Sequence, residues 1–84
     1  MEQLVYDKDD PYVIVLLDDD CMLGFWVGVG LRDVFGHNPT LAAAIIREVE
    51  KLGKAPCYCG TLAECTRLKK KLDTFHISST IAPV

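Results

Sequence analysis

Three consecutive carboxylates, Asp18-Asp19-Asp20, close a five-residue aliphatic run, Val13-Ile14-Val15-Leu16-Leu17. Such a β-branched and leucine run reads as a strand buried on one or both faces. The acids therefore mark where the chain leaves the core. At a strand-to-helix junction they can cap the helix, bind a cation, or only face water. A further acid, Glu50, follows inside Ile46-Arg47-Glu48-Val49-Glu50-Lys51-Leu52-Gly53.

Other reactive side chains are present in less telling patterns. Cys57-Tyr58-Cys59, with Cys21, Cys65, His37 or His76, supplies metal-ligand types. A Cys-x-Cys pair on a strand points both thiols to one face, without the knuckle that zinc sites prefer, and no second close pair exists. Ordinary buried cysteines are the expectation, with no metal and no cofactor. No export signal accompanies the four cysteines, which predicts reduced thiols rather than disulfides. Neither Gly-x-Ser-x-Gly nor Cys-Gly-Ser-Cys occurs. His37 falls in a loop and His76 at a strand entry, away from an obvious nucleophile. Gly28-Val29-Gly30 lacks the third glycine and the preceding strand of a phosphate loop. No enzyme is expected.

Composition narrows the classes further. Eighty-four residues, half apolar and a quarter charged, predict one ordinary folded domain. A net charge of −3 argues against general nucleic-acid binding, which needs a basic footprint. Lys69-Lys70-Lys71 is the one basic run, and on a helix its members point in different directions, as on a solvated face. The uncharged stretch Cys21 to Leu31 is too short to span a bilayer. Met1-Glu2-Gln3 does not open a basic, hydrophobic signal sequence. The expectation is a soluble, cytoplasmic protein.

The elements that must position these residues follow from periodicity. Met1 to Asp10 is charged and poor in apolar residues, a flexible tail ahead of a domain over 11–84. Tyr12 to Leu17 is a strand. Apolar or small residues at 23, 26, 27, 30, 31 and 34 predict an amphipathic helix from about Met22 to Phe35. Gly24, Gly28 and Gly30 each weaken that helix by about 1 kcal/mol relative to alanine, so close packing must compensate. Gly36 is a natural stop, and Asn38-Pro39 supplies a cap and a first-turn proline. The second helix then runs to about Leu52, with Leu41, Ile45, Val49 and Leu52 inward and Gly53 ending it. Lys54 to Cys59 is a strand whose Pro56 places it at an edge or at its own first residue. Thr61-Leu62-Ala63-Glu64 is a capping box opening a third helix, with Leu62, Cys65, Leu68, Leu72 and Phe75 on one stripe. Ile77 to Ile81 is the last strand. The order β-α-α-β-α-β makes an α+β sandwich, a three-stranded sheet packed on helices.

Leu17-Asp18-Asp19-Asp20, Phe35-Gly36 between two helices, and Val49-x-x-x-Gly53-Lys54-Ala55 together resemble the ClpS adaptor family. That family's usual motif at the first of these is Leu-Asn-Asp-Asp. The resemblance runs without a gap from about Tyr12 to Cys57, and more loosely to Ile81. It implies an adaptor that binds destabilising N-terminal residues (Leu, Phe, Tyr or Trp) of substrate proteins and delivers them to a Clp-type AAA+ unfoldase. An α-ammonium is a compact cation with three donors, so its site needs converging oxygens beside an apolar hollow for the first side chain.

By resemblance, Asp18, Asp19 and Glu50 are the amine-binding residues, and Met22, Gly24, Val27, Ile46 and Val49 line the hydrophobic pocket. Thr61, Glu64 and Lys69 match the docking surface for the unfoldase N-domain. Asp18 stands for the family's asparagine and Glu50 for its histidine, adding negative charge that attracts the amine while the acids repel one another. Gly24 replaces a bulky methionine gate. The short tail makes a decoy or competitor that docks without delivering an alternative outcome. A second alternative is an interaction module like the ribosomal stalk protein's C-terminal domain, which has the same element order but a lysine-rich binding helix where this chain carries Asp18 to Asp20.

Overall fold

The aliphatic run forms β1 (Tyr12–Leu17), the central strand of an antiparallel sheet with β2 (Lys54–Gly60) on one side and β3 (Ser79–Pro83) on the other. The structure is a computed structural model and describes residues 12–18 and 24–84. The expected tail Met1–Asp10, together with Asp19, Asp20, Cys21, Met22 and Leu23, lies outside the described residues. Three helices complete the order β-α-α-β-α-β: α1 (Gly24–Phe35), α2 (Pro39–Leu52) and α3 (Leu62–Thr74). The expected α+β architecture is therefore the observed one.

With both edges of β1 hydrogen-bonded, its residues need no polar face toward the helices, and Ile14 and Leu16 are completely buried. Pro56 lacks an N–H and sits in an edge strand, where a missing ladder bond is tolerated. Opposite it the register slips: Ile14 faces Tyr58 and Val15 faces Pro56, leaving Cys57 as the extra residue of a β-bulge. The buried Cys57 thiol donates to the Ile14 carbonyl at 3.5 Å.

The helix ends follow the local chemistry of the chain. Gly36 takes a positive φ of 74° and its N–H returns to the Arg32 carbonyl at 2.8 Å. Asn38 accepts the Leu41 N–H at 2.8 Å, with Pro39 in the first turn. Gly53 closes α2 at φ 83°, its N–H on the Val49 carbonyl. The core lies between sheet and helices, built from Ile14, Leu16, Val27, Leu31, Leu72 and Ile77 with their smaller neighbours. A β-carbon at Gly30 would run into Ile77, which explains one weak helix former inside α1.

Three expectations need correction. The last strand begins at Ser79 rather than Ile77. The reason is the closure of α3: His76 takes φ 58°, the Ile77 N–H reaches the Leu72 carbonyl and the His76 N–H the Asp73 carbonyl. That is a Schellman closure, in which the residue two past the cap folds onto the helix's last apolar position; Leu72 and Ile77 are both buried in the core. Leu52 and Leu62, expected inward, are 63% and 49% exposed, the one ending α2 and the other opening α3. On α2 the inward arc is Ala42, Ile45 and Val49, with Leu41 only half-buried. Trp26, placed on the inward stripe of α1, stands at its rim, 42% exposed. Its indole N–H donates to the Phe75 carbonyl at 2.6 Å and its ring lies 5.5 Å from the Phe75 ring, joining α1 to the end of α3.

A left-handed conformation is unfavourable for a residue with a β-carbon by about 1–2 kcal/mol, and glycine escapes that penalty at some entropic cost. His76→Gly is therefore expected to stabilise the fold by up to about 1 kcal/mol, or several degrees in melting temperature at this size. Thermal unfolding followed by circular dichroism checks it. No change or a loss would show that His76 makes a compensating contact.

Candidate functional site

The exit of β1 is clamped on two sides. The Leu17 N–H donates to the Ser78 carbonyl at 3.0 Å, and the Asp18 N–H donates to the Gly53 carbonyl at 2.9 Å. The second bond ties the start of the acidic loop to the end of α2. Glu50 lies one turn before Gly53, so the exposed carboxylates of Asp18 and Glu50 belong to the same end of the molecule. Asp19 lies outside the described residues.

Of the expected pocket residues, Val27 and Val49 are 4% and 5% exposed and belong to the core. Ile46 is half-buried and packs against that core. Gly24 is the first residue of α1, and Met22 lies outside the described residues.

Helical periodicity sets which residues face each other across the α1–α2 seam. Gly24, Gly28 and Arg32 recur every four residues on α1; Glu50, Ile46, Ala43 and Pro39 form one stripe on α2. A β-carbon at Gly28 would meet Ile46 Cδ1 at 3.7 Å, which fixes the pairing of the two stripes. Beyond that contact the seam opens into a hollow of about 320 Å³ over Gly28, Ala42, Ala43 and Ile46, with Arg32 and His37 among its lining residues. Apart from Ile46, sequence reasoning missed this hollow. Glycine at 28 and alanines at 42 and 43 are a signal of open space only once the helices are paired.

His37 serves the framework. Its Nε2 lies 2.6 Å from the Cys57 carbonyl, an acceptor only, so that nitrogen carries the proton. The ring stacks on Phe35 at 5.3 Å, and Phe35 in turn stacks on Tyr58 at 5.2 Å. Burial pushes the Cys57 thiol well up from its ordinary value, so it stays protonated and unreactive. Among the described residues no group of three His, Cys, Asp or Glu is placed to hold a metal ion, and no helix is long and apolar enough to cross a membrane.

The expected docking residues lie along α3. The Thr61 hydroxyl caps the helix by accepting the Glu64 N–H at 3.1 Å and itself donates to Glu64 Oε1 at 3.1 Å. Tyr58 donates its phenol to the other carboxylate oxygen at 3.1 Å. These donors, Tyr58 first and Thr61 next, hold the Glu64 carboxyl below the usual carboxylate range. Lys69 pairs with Asp73 one turn on, at 3.2 and 3.4 Å.

Comparison with known proteins gives the frame for these placements. The sequence model of the family described as ATP-dependent Clp protease adaptor protein ClpS matches residues 7–81. No curated protein sequence is significantly similar to the chain. Among solved structures the chain resembles Agrobacterium tumefaciens ClpS2 bound to L-phenylalaninamide, with a TM-score of 0.82 at 20% identity, covering 92% of this chain and 100% of that one. At that identity the likeness shows a shared fold.

Because donors stabilise the ionised Glu64, its contribution to stability is present above the ordinary carboxylate pKa and is lost as pH falls through the depressed one. Tyr58→Phe removes the leading donor and should move the Glu64 titration upward, toward the ordinary value. A ¹³C-detected NMR titration of the carboxyl reads this, and an unmoved midpoint would show that Tyr58 does not set it.

Proposed function

The chain belongs to the ClpS family, an adaptor family rather than a protease, and from that premise we propose that it binds the free N-terminus of proteins beginning with Leu, Phe, Tyr or Trp and delivers them to a Clp-type AAA+ unfoldase. Asp18, Asp19 and Glu50 take the α-ammonium; Met22, Gly24, Val27, Ile46 and Val49 surround the first side chain.

The observation that carries this reading is the 2.9 Å bond from the Asp18 N–H to the Gly53 carbonyl. It holds Asp18 at the end of α2, with Glu50 one turn away and the apolar residues Ile46 and Val49 next along the helix. Acids next to an apolar floor suit a group that is cationic at its amine and greasy at its side chain. The structure of Agrobacterium ClpS2 with L-phenylalaninamide is consistent with a ligand of that chemistry on this fold.

Docking on the unfoldase N-domain is assigned to Thr61, Glu64 and Lys69. The capping network around Glu64 presents its carboxylate in a held rotamer, and Lys69 on the same helix needs only to leave an exposed partner, Asp73. Such a surface pair holds its lysine weakly.

Acetylating a Leu- or Phe-initiated peptide removes a charge-assisted contact and leaves acids unpaired, with an expected loss of about 1.5–3 kcal/mol. Fluorescence anisotropy with the two peptides tests the amine site, and equal affinities would refute it. For docking, Lys69→Glu should weaken binding to a Clp unfoldase N-domain while peptide affinity stays within about 0.5 kcal/mol, since separated sites are close to additive. Calorimetry showing undiminished unfoldase binding would remove Lys69 from the docking surface.

A further inference from the structure

We propose that the hollow between α1 and α2 receives an apolar side chain from the third residue of a bound N-terminal peptide, so that this protein reads its substrate beyond the first position. The inference rests on the amine-end reading above, and it depends on the register of two helix stripes.

Glu50 ends the α2 stripe whose other members, Ile46, Ala43 and Pro39, line the hollow. Gly24 stands on the α1 stripe that continues through Gly28 to Arg32. Amine end and hollow are thus two stations on one seam, and Ile46 is a wall of both. The exposed carboxylates Asp18 and Glu50 stand at one end of the seam, and Arg32, paired with Asp33 at 2.9 Å, lines the hollow at the other. An ammonium group goes to the acidic end, and the chain behind it runs toward the hollow.

The spacing then selects the residue. Side chains of an extended peptide alternate faces, so the first and third emerge on the same side about 7 Å apart. Along α2, the middle of the hollow between Ala42 and Ile46 lies about 7.5 Å from Val49, the floor of the first-residue pocket, at the helical rise. A first side chain over Val49 therefore puts the third over the hollow, and the second points away from it.

The lining decides the chemistry. Ala42, Ala43, Pro39, Val29 and Ile46 offer apolar surface, Arg32 in the lining is paired with Asp33, and the Nε2 of His37 is already committed to the Cys57 carbonyl. With a volume of about 320 Å³ the hollow is large enough for a leucine or phenylalanine side chain. A glycine there leaves it unfilled.

The test uses the full chain and peptides that begin with Leu-Ala and carry Leu, Phe or Gly at position three, with anisotropy as the readout. Leu or Phe is expected to bind about tenfold tighter than Gly. Filling the hollow by Gly28→Leu should flatten this order; Ala43→Leu fills it from the exposed face of α2 should the first variant not fold. Equal affinity across the wild-type series overturns the proposal. So does a position-three preference that survives filling the hollow in a folded variant. Each protein is also measured with free and acetylated peptides: loss of that discrimination refutes the amine site itself, whereas a flat position-three series beside intact discrimination refutes only the third-residue subsite.

Discussion

Everything in this molecule is referred to the central strand β1, which is hydrogen-bonded along both edges and covered by helices over Ile14 and Leu16. A strand so placed cannot slide by one residue without turning its buried set toward the other face. Its exit is equally constrained, because Leu17 is bonded to the entry of β3 and Asp18 to the end of α2. Asp18 is therefore held at a fixed point. A carboxylate tethered this way loses less freedom when it meets a cation than one on a free loop, which is the physical content of preorganisation.

The second constraint is the seam between α1 and α2. Gly28 allows α1 to approach Ile46 within van der Waals distance, and the absence of side chains there leaves space beyond the contact instead of filling it. Glycine inside a helix weakens it by about 1 kcal/mol, so α1 depends on its tertiary contacts for stability. Two of those are local and specific: Gly30 lies against Ile77, and Trp26 bonds the last carbonyl of α3's closure. The same residues that make α1 a poor autonomous helix thus shape the groove beside it.

The third helix is organised differently. Its first turn is locked by Thr61, Glu64 and Tyr58, and through Tyr58 it reaches the aromatic stack with Phe35 and His37 at the turn between α1 and α2. Gly60 serves that arrangement, since a β-carbon there would meet the Tyr58 ring at 2.8 Å. One phenol thereby connects the start of α3 to the far end of the α1–α2 pair. The α1–α2 seam and the α3 surface are parts of one packed unit.

By itself the sequence determined what depends on neighbours along the chain. The aliphatic run before Asp18, the caps at Asn38 and Thr61, the stops at Gly36 and Gly53, and the order of strands and helices were all legible, because caps, positive φ and periodicity are set within a few residues. The family resemblance likewise lies in three short segments, each read along the chain. Tertiary structure decided what depends on distant partners. The Schellman closure that moved the last strand to Ser79 needs Ile77 to find the core under α1. The exposure of Leu52, Leu62 and Trp26 depends on what packs beside each of them, which no helical period reports. The meeting of Asp18 with Gly53, and of Gly28 with Ile46, joins residues from different elements. A hollow is the limiting case: it is defined by side chains that are missing from two helices at once, and only their packing places those absences together.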